Sequence, residues 1–78
     1  KLEYRFRDVL GITPAKYLRA LRLHGARREL KRGGGGVHDI AARWGFWHLS
    51  HFANDYRRMF GELPSETLRS SAHPARLV

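Results

Sequence analysis

The apolar residues of the chain recur at helical spacing along most of its length. From Leu2 to Leu10 they fall on one face of a predicted first helix, whose opposite face is polar. Gly11 then supplies a helix stop, Thr13 a side-chain cap and Pro14 the first position of the next helix. The pattern therefore predicts a helix, a short turn and a second helix.

The second predicted helix extends from Pro14 to about Lys31 and carries two apolar stripes. One stripe follows its first half and the other its second half, roughly 160° apart around the axis at ~100° per residue. The stripes are Tyr17, Leu18 and Leu21, and Leu23, Ala26 and Leu30. We expect a strut that joins two small bodies. A single helix buried on most sides is the alternative, which the arginines of this segment disfavour.

Residues 32–36 read RGGGG, which cannot continue a helix and predicts a flexible linker. A phosphate-binding P-loop needs a lysine and then serine or threonine after its last glycine. Val37 and His38 stand there instead, so this class of site is excluded.

Residues 37–60 predict two helices on either side of Gly45. Their apolar residues are Val37, Ile40, Ala41 and Trp44 in the short first helix, and Leu49, Phe52, Ala53, Tyr56 and Phe60 in the longer second helix. Because Ala41 lies four positions before the glycine, the two backbones can approach closely. The combination predicts a helix-turn-helix, whose second helix enters the major groove of DNA. An ordinary αα-hairpin has the same apolar spacing and is the alternative.

The face of this second helix opposite its apolar residues is polar and has hardly any acid. It consists of Trp47, His51, Asn54 and Arg58, flanked by Ser50 and Arg57. A DNA-reading face has neutral hydrogen-bonding groups at its centre and cations at its rim, whereas an inert solvated face usually mixes charge signs. The composition of this face favours DNA reading over the plain hairpin.

The overall charge agrees with an anionic partner. The 78 residues suffice for one small domain, and 15 basic against 7 acidic residues give a net charge of +8. Nucleic acid is the first expectation for a partner. The absence of cysteine excludes disulfides and thiolate chemistry and favours the cytoplasm. No apolar run approaches the roughly 20 residues of a membrane helix, so we expect no membrane partner.

An internal repeat relates the two ends of the chain. Residues 6–19, FRDVLGITPAKYLR, align with residues 56–69, YRRMFGELPSETLR, at an offset of 50. At the same offset Lys1 and Tyr4 of the first predicted helix meet His51 and Asn54 of the reading face. We therefore interpret the first predicted helix as a second recognition helix.

The predicted fold class is all-α, with two helix-turn-helix modules bridged by a long helix. No counterpart of residues 37–50 precedes Lys1, so we expect the first module to be truncated at its N-terminus. The predicted divisions are residues 1–13 for the remnant of the first module, 14–31 for the linker helix, 32–36 for the glycine-rich loop, 37–70 for the second module and 71–78 for a disordered tail. The second module includes a short final helix from Pro64 to about Arg69.

Three segments resemble the C-terminal DNA-binding region of AraC/XylS-type bacterial transcriptional regulators. They are GITPAKYLRALRLHGARREL, DIAARWGF and HFANDYRRMFGELPSETLR, within a similarity that extends from about Leu2 to Arg69. The resemblance implies homeodomain-like modules that insert recognition helices into successive major grooves of double-stranded promoter DNA. It also implies transcription activation with RNA polymerase as a partner, and an effector-binding or dimerisation domain elsewhere in the full-length protein.

The resemblance and the residue pattern together predict the DNA contacts. The predicted base-reading residues are Glu3, Tyr4, Trp47, Leu49, Ser50, His51 and Asn54, and the predicted phosphate contacts are Lys1, Arg7, Arg43, His48, Arg57 and Arg58. Asn54 is the principal reader, because its amide can pair with N6 and N7 of adenine at once. The resemblance also places Ala53 among the base-facing residues, but helical periodicity buries it, and we follow the periodicity. For Leu49 the same two placements, base-facing and buried, both stay open. Trp47 is equally consistent with an exposed position and with packing over Trp44.

Other chemistries fit the residues poorly. At position 48 this chain has a histidine, where the family often has a capping Ser or Asp. His48 lies one helical turn from His51, but no third ligand has a matching spacing, so we expect no metal and no cofactor. Ser50 and His51 diverge around the helix, which excludes a hydrolytic site with Asp55, and we expect no enzyme. The alternative function is a basic helical module that binds RNA or a protein partner, although most aromatic residues have core spacing.

Overall fold

The computed structural model of the protein describes residues 11–71, which form four α-helices. These are α1 (Pro14–Lys31), α2 (Val37–Arg43), α3 (Leu49–Phe60) and α4 (Pro64–Ser71). All regular structure in residues 11–71 is helical, which confirms the all-α prediction. The predicted first helix, with Lys1, Glu3, Tyr4 and Arg7, lies outside the described residues, as do its predicted truncation and residues 72–78 of the predicted tail.

The helices begin where the turn signals of the sequence place them. At the start of α1, Oγ1 of Thr13 accepts a hydrogen bond from the backbone N–H of Lys16 at 3.2 Å. At the start of α4, Oε1 of Glu66 accepts one from the backbone N–H of Leu63 at 2.7 Å. A complete capping box has both of these bonds at one helix start. Each copy of the repeat therefore has one of the two capping-box bonds: the side-chain cap at Thr13 in the first copy and the glutamate bond at Glu66 in the second.

The last helix is longer than predicted. α4 continues past Arg69 to Ser71, whose hydroxyl donates a hydrogen bond to the carbonyl of Leu68 at 2.7 Å. Ser71 therefore belongs to the final helix and not to the predicted tail.

The hydrophobic core is built by α1, α2 and α3, with α4 packed against it. Its buried members are Leu23, Ala26 and Leu30 of α1, Ile40 and Ala41 of α2, and Phe52 and Tyr56 of α3. Each of these residues belongs to a predicted apolar face. Leu18 and Leu21, in the other stripe of α1, are each 47% exposed. The two halves of α1 therefore lie in different surroundings, as the two stripes predict.

The connection between α2 and α3 has the predicted tight geometry. Gly45 adopts a φ of +86°, in the left-handed region that glycine enters without steric cost. Ala41 is buried at the crossing, and its carbonyl accepts a hydrogen bond from the backbone N–H of Phe46 at 2.9 Å. The short helix, the glycine turn and the longer helix therefore form a helix-turn-helix.

A second contact, which periodicity does not predict, joins α2 to α1. The ring of Trp44 lies directly over Gly25, where a Cβ atom would be only 2.4 Å from Cη2 of the indole. The indole Nε1–H donates to Oε1 of Glu29 at 2.6 Å, and Arg43 donates to Oε2 of the same carboxylate at 2.6 Å. The C-terminal end of α2 is thereby fixed on the surface of α1.

Candidate nucleic-acid interface

The helix α3 separates a buried face from a solvent-facing polar face. Phe52 and Tyr56 are completely buried on the inner side. The predicted reading positions of the outer side are all exposed: Trp47, Ser50, His51, Asn54, Arg57 and Arg58. The structure thus places these six side chains around one surface of the second module.

The first turn of α3 projects from the core. Leu49, Ser50 and His51 are all exposed, and Leu49 retains 42% of its accessible surface. The helical periodicity that buries Leu49 is therefore wrong at this position, because the first turn extends beyond the surface on which Phe52 packs. Ala53 is partly buried, between the two placements that the sequence suggests.

The N-terminal end of α3 favours negative charge. His48 is the N-cap residue, and its side chain makes no capping hydrogen bond. The first turn contains no acidic residue. Backbone N–H groups at a helix start have no partner within the helix, and they carry the positive end of the helix dipole. Such an end suits phosphate oxygens and the acceptors of base edges.

The two tryptophans have different roles. Trp47 is 81% exposed, just before the first turn of α3. Trp44 is partly buried against Gly25 of α1. The structure therefore selects the exposed placement of Trp47, where an indole can press against a sugar or a thymine methyl group.

The predicted phosphate contacts of this module differ in their surroundings. Arg57 and Arg58 are exposed in the last turn of α3, and Nη1 of Arg58 lies 3.5 Å from Oδ1 of Asp55. Arg43 is half exposed but is paired with Glu29. The hydrogen bond from the Trp44 indole, followed by the nearby Arg43, holds the pKa of Glu29 below its ordinary value. The charge of Arg43 is therefore already paired with a carboxylate.

Asp55 is a polar residue of this surface whose partners the sequence does not reveal. Its Oδ2 accepts a hydrogen bond from Nε of Arg19 at 2.9 Å and a second from Nη2. The two residues are 36 positions apart, so no helical period relates them. The only sequence signal is the presence of a lone acid on a basic helix.

A buried polar contact joins α3 to the last helix. The hydroxyl of Tyr56 donates to Oγ1 of Thr67 at 2.7 Å, and the Thr67 hydroxyl in turn donates to a carboxylate oxygen of Glu62. Burial raises the pKa of the Tyr56 phenol. The guanidinium of Arg27 covers the ring of Phe60 at 4.9 Å from its centroid. These contacts fix the C-terminal half of α3, so that its reading face has a defined orientation.

Within residues 11–71, no three His, Asp or Glu side chains come close enough together to hold a metal ion. The rings of His48 and His51 lie 5.1 Å apart between centroids. In the same part of the chain, no helix has the length and apolar character required to cross a membrane.

The short scaffold helix, the glycine turn and the exposed basic helix define a helix-turn-helix protein. A family model described as a helix-turn-helix domain matches residues 1–70. The chain belongs to this family, and its relatives are transcriptional regulators of the AraC/XylS type. It is therefore a DNA-binding domain of the kind that regulates transcription.

Three relatives illustrate the relationship. The probable thc operon regulatory protein of Rhodococcus erythropolis is 43% identical over 72 residues, which cover 88% of this chain and 22% of that protein. The XylDLEGF operon transcriptional activator of Pseudomonas putida is 43% identical over 67 residues, covering 82% and 21%. The transcriptional activator RhaS of Escherichia coli is 38% identical over 65 residues, covering 83% and 23%.

The chain spans only about a fifth of the length of these relatives. The similar region is the helix-turn-helix domain, and the relatives are regulators rather than enzymes. No solved structure matches the chain significantly. None of the comparisons supports the alternative of an RNA-binding or protein-binding module.

Proposed function

We propose that α3 is the recognition helix of the second module and enters the major groove of promoter DNA with its first turn leading. The observation that carries this proposal is the exposed, acid-free and uncapped first turn of α3. In a helix-turn-helix the N-terminal residues of the second helix contact base edges. The geometry of α3 suits this role.

Asn54 is the principal base-reading residue in this proposal. It is exposed and lies one turn beyond Ser50 on the outer surface of α3. Its amide can bond bidentately to adenine N7 and N6, a contact worth ~1–3 kcal/mol of discrimination. Ser50 and His51 donate to or accept from neighbouring base edges, and the exposed apolar surface of Leu49 and Trp47 suits thymine methyl groups.

The remaining contacts position the protein on the phosphates. His48 at the start of α3, and Arg57 and Arg58 at its end, are exposed cations or donors that flank the reading residues. Arg43 contributes less, because it is paired with Glu29. For the first module we propose Glu3 and Tyr4 as base contacts and Lys1 and Arg7 as phosphate contacts, on the basis of the repeat and of the resemblance to the family.

At the level of the whole protein, we infer a transcriptional activator that acts in the cytoplasm at the nucleoid. Two of the three relatives described above are named as activators, the XylDLEGF operon activator and RhaS. Two recognition helices would read major-groove segments about one helical turn apart, or some 10 base pairs. RNA polymerase would be the protein partner, and an effector-binding or dimerisation domain would lie elsewhere in the full-length protein.

The test is selection of a random duplex pool by the chain at near-physiological salt, followed by sequencing. We expect a short enriched motif, with a second motif about 10 base pairs away if both helices read. Asn54→Ala should abolish preference at one base pair and leave non-specific affinity unchanged.

Arg57→Ala is the matched control on the same helix. It should weaken binding evenly across sequences and reduce the salt slope by about 1. A uniform loss of affinity in Asn54→Ala would instead make Asn54 a positioning contact. Displacement of the selected duplex by single-stranded RNA at equal concentration would contradict the DNA assignment.

A further inference from the structure

A groove between α1 and α3 brings together charged side chains that are distant in the sequence. It is lined by Lys16 and Arg19 of α1 and by Asp55 and Arg58 of α3, with Met59 contributing to an apolar floor. Three cations and one carboxylate give this α1–α3 groove a net charge of +2. Lys16 is not among the predicted DNA contacts, whereas the arginines of α1, Arg19 among them, are phosphate candidates from their charge alone.

Asp55 holds the two guanidinium groups of the groove close together. Its Oδ2 accepts from Nε of Arg19 at 2.9 Å, and its Oδ1 lies 3.5 Å from Nη1 of Arg58. The side chain of Asp55 is only 18% exposed, whereas those of Arg19 and Arg58 are 55% and 80% exposed. The carboxylate is therefore largely covered while both cations reach solvent.

The ion pair leaves hydrogen-bonding capacity for an anion. A guanidinium has five N–H donors, and Arg19 uses Nε and Nη2 toward Asp55. The other donors can bind phosphate oxygens without breaking the pair, in the planar geometry that arginine offers to phosphate. Because the carboxylate already restricts these long side chains, less conformational entropy is lost when an anion binds.

The groove adjoins the proposed reading face. Asp55 directly follows Asn54, and Arg19 also lines the neighbouring cleft that contains Trp47 and His51. A recognition helix in the major groove has the sugar–phosphate backbone of one DNA strand on each side, and side chains at the flanks of the helix bind these phosphates. The strand on the α1 side of α3 would therefore pass next to Arg19.

We propose that the α1–α3 groove binds a backbone phosphate of the target DNA. Lys16, Arg19 and Arg58 make the contact, and Asp55 is a positioning residue that holds the two arginines. This inference rests on the proposed insertion of α3 into the major groove, and it adds a phosphate contact made by the connecting helix. An acidic peptide has matching charge, but the position of the groove beside Asn54 favours DNA.

The test measures the affinity of the full chain for its selected duplex across salt concentrations. Lys16→Gln and Arg19→Gln should each reduce the salt slope, that is, the slope of log affinity against log salt concentration, by about 1. Between about 50 and 200 mM salt, the decrease in affinity should then be about 3- to 4-fold smaller than in the wild type. Lys31→Gln is the matched control, because Lys31 is an exposed lysine at the other end of the same helix. This control should leave the slope unchanged. Circular dichroism verifies that each variant folds, and Lys16→Gln removes no side-chain hydrogen bond observed among residues 11–71.

Asp55→Asn separates positioning from simple charge. If Asp55 only repels phosphates, this variant binds DNA more tightly and the positioning role is wrong. If Asp55 positions the arginines, the salt slope falls although a negative charge has been removed.

The two proposals fail in different ways. If selection yields no motif, the slope is measured on the unselected duplex pool. A slope reduced there in Lys16→Gln but not in Lys31→Gln overturns base reading and supports the groove. A clear motif with unchanged slopes in Lys16→Gln and Arg19→Gln overturns the groove alone. A labelled peptide of Glu–Leu repeats serves as the probe for a protein partner. If Arg19→Gln abolishes binding of this peptide and leaves DNA binding unchanged, the groove belongs to a protein partner.

Discussion

At the scale of single residues, Gly25 and Glu29 have roles that their own sequence neighbourhood does not indicate. Both lie on α1, one turn apart, and both contact Trp44. Gly25 provides the space for the indole ring, and Glu29 accepts its N–H. Together they fix α2, and through the glycine turn they fix the start of α3.

Gly25→Ala should destabilise the protein, although alanine is the better helix former by about 1 kcal/mol. The added Cβ would lie 2.4 Å from the Trp44 ring, and such overpacking costs about 1–3 kcal/mol. Urea denaturation measures the change in free energy of unfolding. In a Trp44→Leu background the same substitution should become neutral or stabilising. A stabilising effect in the wild-type background would contradict the close packing.

The Glu29 carboxylate should make stability depend on pH in the acidic range. Its folded pKa lies below the ordinary value of 4.5, mainly because of the Trp44 hydrogen bond. The stabilisation is therefore complete above pH 4.5 and is lost as the pH falls through the lower folded pKa. Thermal unfolding of wild type and Glu29→Gln tests this. The difference in Tm should be largest near neutral pH and shrink in acid, and a constant difference would contradict the prediction.

At the scale of the helices, α3 carries the proposed reading face, and its neighbours hold its middle and its C-terminal half. Arg19 of α1 pairs with Asp55 in its middle, and Thr67 of α4 accepts from Tyr56. The N-terminal turn of α3 lacks such contacts and is exposed. The helix thus combines a fixed C-terminal half with an accessible reading end.

The contact between α3 and α4 should behave as a coupled network. Tyr56→Phe should cost about 1 kcal/mol, the usual net value of one hydrogen bond. Thr67→Val should cost more, because it leaves the buried Tyr56 hydroxyl without its acceptor. The double variant should lose less than the sum of the single variants, as measured by denaturant unfolding. Simple additivity would show that the two residues are not energetically linked.

At the scale of the whole molecule, the core is concentrated around the second half of α1. Leu23, Ala26 and Leu30 are buried by α2, α3 and α4, whereas Leu18 and Leu21 are half exposed. The charge distribution adds to this asymmetry, because the α1–α3 groove and the reading face lie beside the exposed half of α1. The core packed by α2–α4 and the surface that we propose faces DNA are therefore distinct parts of one small structure.

Amide hydrogen exchange should reveal this asymmetry within a single helix. The backbone amides of residues 26–30 should exchange more slowly than those of residues 18–22, because only the second half of α1 is covered by the core. Both segments are interior to the helix, so differences in helical hydrogen bonding at the ends do not enter. Equal protection along α1 would indicate that its first half is covered equally well.

Sequence alone predicted the parts of the structure that depend on local order. The bounds of α1, the glycine turn at Gly45, the amphipathic faces and every buried core residue follow from helical period and from turn and capping preferences. These signals act between residues a few positions apart, where the backbone hydrogen bonds of a helix also form. The helix-turn-helix follows from the same local patterns in their order along the chain, and the family follows from the resemblance of three segments to known regulators.

Tertiary structure decided the contacts that depend on distance in space. The packing of Trp44 on Gly25, the pairing of Arg43 with Glu29 and the bond between Arg19 and Asp55 join different helices. The exposure of Leu49 and Trp47 depends on where the core surface ends, which no helical period specifies. The sequence therefore determined which faces are apolar and which residues we propose to read DNA. Only the packing of the helices decided which cations are already paired and which surface remains exposed.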